Sequence, residues 1–192
     1  MVITQKSSSG ITLVPIEAKA FDHRTIWISG EINDESCCEF VKQIIELNMQ
    51  DTDKPIRVLI QSGGGSVIHG LAMYDAIISS KAPVETVCIG TAYSMAAVLF
   101  ASGSKRYMLE HSEVMLHEPL VGRGAGGSAS SVKSMSDSLQ NTKKKLNEIL
   151  CKHTGRTKKE MDKATGYDHY FDAKEAIAFG LADEVIGIDK IL

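Results

Sequence analysis

Short apolar runs alternate with amphipathic stretches along most of the chain. The apolar runs predict strands at 11–16, 25–29, 56–61, 84–89, 107–109, 114–116 and 185–188. Apolar residues at helical spacing predict helices at 34–48, 67–78, 95–101 and 132–153. Because strands and helices alternate, the pattern predicts an α/β fold of repeated βα units, with parallel strands joined by right-handed crossovers.

Polar and small residues mark where these elements begin and end. The sequences TKKE at 157–160 and DAKE at 172–175 have the spacing of capping boxes, and they predict two short helices, the second stopped by Gly180. Residues 1–10 are polar after Val2 and Ile3, and the sequence SSSG at 7–10 predicts a mobile connector before the first strand. The stretch 122–131, rich in glycine and serine, predicts a loop before the long helix.

The composition is that of an ordinary globular protein. The chain has 192 residues, 43% of them hydrophobic and 23% charged, which suits one domain with a substantial core. With 21 basic and 24 acidic residues the net charge is -3, so we expect no nucleic-acid partner and no membrane association. The four cysteines lack metal-finger spacing, and there is neither a secretory leader nor an apolar run of about 18 residues, which predicts a cytoplasmic protein.

Ser94 lies between an apolar strand and a helix of small residues, in the segment GTAYSMAAVLFASG. A hydroxyl at a helix start lies beside unpaired backbone N–H groups and the positive end of the helix dipole, which favour a developing oxyanion. Ser94 is therefore a candidate nucleophile, although the sequence is not the GxSxG elbow. The alternative is a serine that only caps the helix.

The segment SGGGS at 62–66 joins a predicted strand to a predicted helix. Such a turn can direct several backbone N–H groups at an anion, so its functional interpretation is an oxyanion donor paired with the N–H of Met95. It has neither the Gly-Lys-Ser/Thr of a Walker loop nor the GxGxxG of a dinucleotide site. A flexible turn with no chemical role is the alternative.

His117 and Asp168 are candidate partners for Ser94. Among the six histidines, His117 alone follows an apolar strand directly and precedes the pair Glu-Pro, a position from which its ring can enter a cleft and act as a base. Asp168 lies among aromatic residues, where a carboxylate could be buried beside an imidazole and orient it. A structural histidine and a turn aspartate are the alternatives.

Four segments, in order, resemble the proteolytic subunit of the Clp protease, the ClpP family, over essentially the whole chain. They are IQSGGGSVIHGLAMYDAI, CIGTAYSMAAVLFASG, VMLHEPL and KHTGRTKKEMDKATGYDHYFDAKEAIAFGLADEVI, and they resemble the family's Gly-rich, nucleophile, histidine and aspartate segments. The resemblance implies Ser94 as the nucleophile, His117 as the general base and Asp168 as the carboxylate that orients the histidine.

The resemblance also implies the rest of a serine endopeptidase site. Backbone oxyanion donors are implied at Gly65 and Met95, with Gly64 shaping the turn. Peptide-binding backbone is implied at Val121, Gly122, Gly124 and Ala125. No metal or organic cofactor is implied, and ATP would be consumed by a partner, since the sequence has no P-loop.

By the same resemblance the fold is crotonase-like, with one peptidase domain over 1–192. Its parts are an axial N-terminal segment at 1–24, a head at 25–120 with the serine and histidine, a protruding strand-helix handle at 121–153, and a C-terminal part at 154–192 with the aspartate. The implied assembly is a homo-oligomer of two stacked heptameric rings that enclose the active sites. The implied partners are unfolded protein substrates, an AAA+ unfoldase such as ClpX, ClpA or ClpC, and a second ClpP paralogue.

Several residues depart from the family pattern. Gly63 replaces the usual proline of the Gly-rich turn, and Glu118 replaces the usual glutamine after the histidine. Tyr167 and His169 flank Asp168, where arginines often bridge the rings, and Leu59 stands where an aromatic residue often lines the unfoldase cleft. Residues 11–24 lack the usual leucine-rich first helix. Together these differences indicate either a divergent paralogue or a copy carried by a phage or mobile element, with an altered unfoldase contact.

Two other functions are consistent with the sequence. One is a weakly active or regulatory subunit that assembles in mixed rings with an active ClpP paralogue, which peptidase assays with and without a second subunit would reveal. The other is a crotonase-type acyl-CoA enzyme, which would use Gly-rich turns to stabilise a thioester enolate but leaves Ser94, His117 and Asp168 without a role. Covalent labelling of Ser94 by a fluorophosphonate distinguishes a peptidase from that enzyme.

Overall fold

The computed structural model describes residues 1–7, 10–122 and 126–191. The strands within these residues are β1 (Val2–Ser7), β2 (Gly10–Pro15), β3 (Thr25–Ile32), β4 (Ile56–Gly65), β5 (Val84–Tyr93), β6 (Lys105–Met108), β7 (Glu113–Leu116), β8 (His169–Phe171) and β9 (Glu184–Val185). The helices there are α1 (Ile16–Asp22), α2 (Asp34–Gln50), α3 (Val67–Ser79), α4 (Met95–Ala101), α5 (Ala129–Thr154), α6 (Lys158–Ala164) and α7 (Ala173–Phe179), with a 3-10 helix at Ile188–Lys190. The predicted α/β architecture is confirmed.

One mixed sheet forms the centre of the fold. Its main path runs β3-β4-β5-β6-β9, and every neighbouring pair along this path is parallel. β6 pairs with the first half of β5, β7 pairs in parallel with the last three residues of β5, and β8 pairs antiparallel with β7. Because parallel neighbours need crossover connections, α2, α3 and α4 each link two of the parallel strands. The ends of β5 and β7 therefore lie side by side.

α4 lies in the core of the fold. All seven of its residues are buried, as expected of a helix that is apolar on every side. It contacts β4, β5, α3 and α5. On the α3 side, the absence of a side chain at Gly70 leaves room for the side chain of Met95. The start of α4 is therefore fixed by several neighbours at once.

The N-terminal residues differ from their prediction. No strand is predicted before the connector at 7–10, but Val2–Ser7 form β1, which pairs with β2 in an antiparallel hairpin from Val2↔Pro15 to Ser7↔Gly10. Residues 8 and 9 of the predicted connector lie outside the described residues. β1 depends on its pairing with β2, which its own mostly polar composition does not reveal. α1 follows directly and is a first helix that contains no leucine.

The flexible turn given as the alternative at 62–66 is wrong for most of its length. β4 continues through this segment and pairs with β3 as far as Ile32↔Gly65, after a register shift. Gly64 has a φ of 91° and Gly65 a φ of 148°, conformations that residues with a side chain rarely adopt. The irregular backbone at the end of β4 therefore depends on these two glycines.

The sequence predicted where helices begin more accurately than which of their faces are buried. Both predicted capping boxes are confirmed, at Thr157 with Glu160 and at Asp172 with Glu175. On α3, for example, the sequence pattern predicts one apolar side with Val67, Leu71, Tyr74 and Ile78, and this face is partly wrong because Ile78 is 46% exposed. The buried stripe of α3 is Gly70, Met73, Tyr74 and Ile77.

α5 is covered over its second half only. Ser128 caps its start by accepting a hydrogen bond from the Ser131 N–H, and Gly155, in the left-handed conformation, ends it. The buried residues of α5 are Leu146, Asn147 and Leu150. Val132 in the first half is 50% exposed, so the apolar stripe predicted there is not covered by the part of the chain that the structure describes.

Candidate active site

Ser94 is the single residue between β5 and α4, and the backbone turns sharply at this point. Its φ of 56° and ψ of -122° lie where residues with a side chain are rarely found. Such a conformation costs about 1–3 kcal/mol and persists only where the surroundings enforce it. Here the Ser94 N–H donates to the Met115 carbonyl at 2.9 Å, and the Ser94 carbonyl accepts from the Ala97 N–H at 3.0 Å. The side chain of Ser94 therefore projects from a strained strand-to-helix turn.

Capping of α4 does not account for the Ser94 side chain. A capping serine accepts a hydrogen bond from an N–H in the first turn of its helix. The Ser94 side chain makes no such bond, although the residue occupies the N-cap position. Its Oγ instead lies 2.7 Å from Nε2 of His117.

His117 and Asp168 are brought together by the pairing of β7 with β8. The register runs Val114↔Phe171, Met115↔Tyr170 and Leu116↔His169, so the next pair along the same register is His117 with Asp168. His117 Nδ1 lies 3.2 Å from Asp168 Oδ1.

The polarity of this arrangement follows from the chemistry of its members. The Asp168 carboxylate accepts a hydrogen bond from the Nδ1–H of His117, and in this tautomer Nε2 is free to accept a hydrogen bond from the Ser94 hydroxyl. The His117 side chain is 17% exposed and that of Asp168 is 59% exposed, so the site is open to solvent on the carboxylate side. The structure thus brings the three predicted residues together, and their catalytic roles stay predictions.

The Gly-rich end of β4 packs directly against the turn at Ser94. A Cβ on Gly64 would lie 2.7 Å from the Tyr93 carbonyl oxygen and 2.8 Å from Ser94 Cβ. A Cβ on Gly65 would meet the backbone of Ile32 on β3. Neither position has room for a side chain, so both glycines are needed for the two segments to approach this closely.

The two predicted oxyanion donors lie at the ends of segments that meet at Ser94. Gly65 is the last residue of β4, and the Ser66 N–H that follows it donates to the Ile32 carbonyl of β3 at 2.8 Å. Met95 is the first residue of α4, so its N–H has no acceptor within the helix. This placement is compatible with the predicted oxyanion donors, whose role stays a prediction.

The positions that depart from the family pattern have identifiable surroundings. A Cβ on Gly63 would have no atom within 4 Å, so this position has space for a larger residue. The Glu118 carboxylate forms an ion pair with Lys143 of α5, with 2.5 Å between Oε2 and Nζ. Leu59 is buried in a small cluster with Val87, Ile186 and Ile191, so the chain itself covers this side chain.

The predicted peptide-binding backbone is described only in part. Val121 and Gly122 are exposed and lie in no helix or strand. Gly124 and Ala125 lie outside the described residues, so their predicted role has no structural counterpart here.

Tyr93 and Glu113 also lie beside the site and are not among the residues predicted from the sequence. The Tyr93 hydroxyl donates a hydrogen bond to Glu113 Oε1, and the Tyr93 ring packs edge-on against Tyr170 with 5.7 Å between ring centroids. The hydrogen bond to Glu113, together with burial, raises the pKa of Tyr93 to about 12. Tyr170 is one of the aromatic residues near Asp168 that the sequence made noticeable. Tyr93 and Glu113 are 20 positions apart and form no local sequence pattern.

The described residues also include no group of three or more His, Cys, Asp or Glu side chains that could hold a metal ion. Over 1–7, 10–122 and 126–191, no helix has both the length and the apolar character needed to cross a bilayer.

One known protein family matches most of the sequence. The model of the Clp protease family matches residues 8–189, a span that contains Ser94, His117 and Asp168. The match also includes the Gly-rich end of β4 and the strands that bring the three side chains together. The chain belongs to the Clp protease family.

Proposed function

We propose that the chain is a serine endopeptidase that hydrolyses unfolded polypeptides to short peptides. Membership of the Clp protease family supports a ClpP-like peptidase. The observation that carries the proposal is the pair of hydrogen bonds that links Asp168 to His117 at 3.2 Å and His117 to the Ser94 hydroxyl at 2.7 Å. A hydroxyl beside a base that is itself oriented by a carboxylate is the arrangement that activates serine for nucleophilic attack.

In the proposed reaction His117 Nε2 takes the hydroxyl proton while Ser94 Oγ bonds to the carbonyl carbon of the scissile peptide. The C–N bond then breaks, His117 returns the proton to the leaving amine, and an acyl-enzyme ester remains. Water attacks this ester with His117 again acting as base, which regenerates the Ser94 hydroxyl. Asp168 keeps the imidazole oriented and stabilises its charged form in both halves of the reaction.

The developing oxyanion would be bound by the N–H groups of Gly65 and Met95. The close packing of Gly64 on Ser94 supports this role, because it fixes the end of β4 relative to the nucleophile. A single donor of this kind contributes about 3 kcal/mol to transition-state stabilisation. The peptide itself would pair with backbone from residue 121 onward, next to the histidine segment. No metal or organic cofactor takes part in the proposed reaction.

We also propose that the chain works inside a chamber of two stacked heptameric rings. In this proposal 121–153 form the handle between rings and 1–24 line the axial pore. Exposed apolar side chains in the hairpin and on the first half of α5, such as Leu13 and Val132, support further contacts there. An AAA+ unfoldase such as ClpX, ClpA or ClpC would consume ATP and deliver unfolded chains.

The test compares Ser94→Ala with Ser79→Ala, a serine whose hydroxyl bonds only within its own helix. Wild type and Ser79→Ala should hydrolyse a fluorogenic peptide and become labelled by a fluorophosphonate, whereas Ser94→Ala should do neither and keep the same mass in solution. Peptide hydrolysis that survives Ser94→Ala would exclude Ser94 as the nucleophile. Hydrolysis that appears only after addition of a second subunit would favour the mixed-ring alternative.

A further inference from the structure

Tyr93 contacts all three chain segments that carry the proposed catalytic residues. It directly precedes Ser94, its hydroxyl donates to Glu113 at the start of β7, and its ring packs edge-on against Tyr170 of β8. β7 leads into His117, and β8 begins immediately after Asp168. One side chain therefore joins the nucleophile, histidine and aspartate segments.

The strand register places these contacts on one face of the sheet. Tyr93 is the partner of Met115 on β7, and Met115 is the partner of Tyr170 on β8. Glu113 lies two residues before Met115 and so on the same face, diagonal to Tyr93 and within reach of a tyrosine side chain. The contacts follow from the pairing of three strands.

The segment that carries Asp168 is the least restrained of the three, since Ser94 is already held to β7 by its N–H bond to the Met115 carbonyl. Ser94 holds a strained backbone, and β8, which begins immediately after Asp168, pairs with β7 over only three residue pairs. The Asp168 side chain is 59% exposed, so packing alone holds it weakly. A tie between these segments would therefore affect the alignment of the hydroxyl with the imidazole.

We propose that Tyr93 is a positioning residue, whose hydrogen bond to Glu113 and ring contact with Tyr170 keep Ser94 aligned with His117 and Asp168. This inference rests on the proposed peptidase function. Tyr93 acts through its neighbours and not on the substrate, so its loss slows the acylation of Ser94 and leaves peptide binding intact. The raised pKa of Tyr93 agrees with this role, because the phenol stays protonated and able to donate across the physiological range.

The first variant is Tyr93→Phe, which keeps the ring contact and removes only the donor. The matched control is Tyr107→Phe on β6, a half-buried tyrosine that packs in the separate cluster around Leu59. Measurements are the rate of Ser94 phosphonylation by a fluorophosphonate, kcat and KM for a fluorogenic peptide, the unfolding midpoint and the mass in solution. We expect Tyr93→Phe to lower kcat and the labelling rate about tenfold, with KM unchanged within about twofold, and Tyr107→Phe to match wild type.

The acceptor side of the bond gives a second, independent measurement. Glu113→Ala removes the acceptor and should resemble Tyr93→Phe, whereas Glu113→Gln keeps an amide oxygen and should recover most of the labelling rate. If Tyr93→Phe does not yield an assembled protein, the comparison of Glu113→Ala with Glu113→Gln decides the question by the same readouts.

The outcomes separate this inference from the function on which it rests. Wild type that is neither labelled at Ser94 nor active on peptides would overturn the peptidase function and the positioning role together. Wild type that is labelled, with assembled Tyr93→Phe labelled at the same rate, would overturn only the role of Tyr93. A rise in KM with unchanged kcat would place Tyr93 in peptide binding and equally exclude a positioning role.

Discussion

α4 and α5 are both helices of the same fold, but the chain encloses them very differently. All seven residues of α4 are buried, and its first N–H group lies beside the proposed nucleophile. α5 has 26 residues, of which only three are buried, all in its second half. The short helix is fixed by its surroundings, and much of the long one is exposed to solvent.

The difference shows how the molecule divides its tasks. A reactive hydroxyl must be held within a fraction of an ångström, which is possible only on an element whose rotamers and backbone are fixed by close packing. An exposed helix with apolar residues suits contact with other molecules instead. The contrast predicts that changes near α4 alter activity or stability strongly, and that changes in the first half of α5 do not alter folding.

The largest effect is expected where β4 touches the start of α4. Gly64→Ala would place a methyl group 2.8 Å from Ser94 Cβ, so the Gly-rich segment or the serine must move. We expect a loss of about 100-fold to 1000-fold in peptide hydrolysis, the size seen when one oxyanion donor is lost. Gly63→Ala is the control, because its methyl group meets no atom within 4 Å. Equal activities in the two variants would contradict the proposed geometry.

The two helices can be compared directly by truncating one side chain in each. Leu99→Ala in α4 removes a fully buried side chain and should lower the free energy of unfolding by about 2–5 kcal/mol. Val132→Ala in α5 removes a half-exposed one and should change it by less than about 0.5 kcal/mol. Urea unfolding at one fixed protein concentration measures both. Similar losses would mean that the first half of α5 is covered after all, by the core or by the proposed contact between rings.

A smaller effect should appear at the end of α5, where the helix becomes buried. Burial, to which the charges of Lys152 and Arg106 add, lowers the pKa of His153 from its ordinary value of 6.5. The folded protein thus resists protonation there more than the unfolded chain does. Stability from this group is complete above the ordinary pKa and is lost as the pH falls through the lowered pKa.

Replacement of His153 tests this sign. The urea midpoint of wild type should fall further between about pH 7.5 and about pH 5 than that of His153→Gln, because the glutamine does not titrate. The amide can still bond to Tyr74, whose hydroxyl lies 3.0 Å from His153 Nε2. An identical fall in both proteins would exclude His153 as a source of the acid sensitivity.

The smallest effect is expected for the ion pair that links α5 to the histidine segment. Glu118 is 42% exposed and Lys143 is 28% exposed, so solvent screens their attraction. A double-mutant cycle with Glu118→Gln and Lys143→Met should give a coupling energy below about 1 kcal/mol. A value above about 2 kcal/mol would show that α5 is held to the site more firmly than its exposure indicates.

Elements with local signals were predictable from the sequence. The capping boxes at 157–160 and 172–175 and the bounds of α4 are confirmed, because capping and helix periodicity act within a few residues. The hairpin at the N-terminus, the continuation of β4 through its glycines and the three-residue β8 were missed. These depend on pairing between segments distant in sequence, and a three-residue strand is too short to show a period.

The proposed site divides in the same way. The strand-to-helix position of Ser94 and the strand exit at His117 are local features, and the resemblance to the Clp protease family selected Asp168. The strained backbone of Ser94 and its contact with Gly64 are not visible in the sequence and follow only from the three-dimensional structure. The hydrogen bond between Tyr93 and Glu113 also follows only from the pairing of β5 with β7.

The left-handed backbone at residue 94 has a consequence for how this chain balances folding against chemistry. Any residue with a Cβ, serine included, keeps the strain, whereas glycine adopts such angles without it. Ser94→Gly should therefore be an inactive protein that resists unfolding better than Ser94→Ala does. The fold thus gives up some stability at residue 94, where the proposed reaction needs a hydroxyl beside the His117 imidazole.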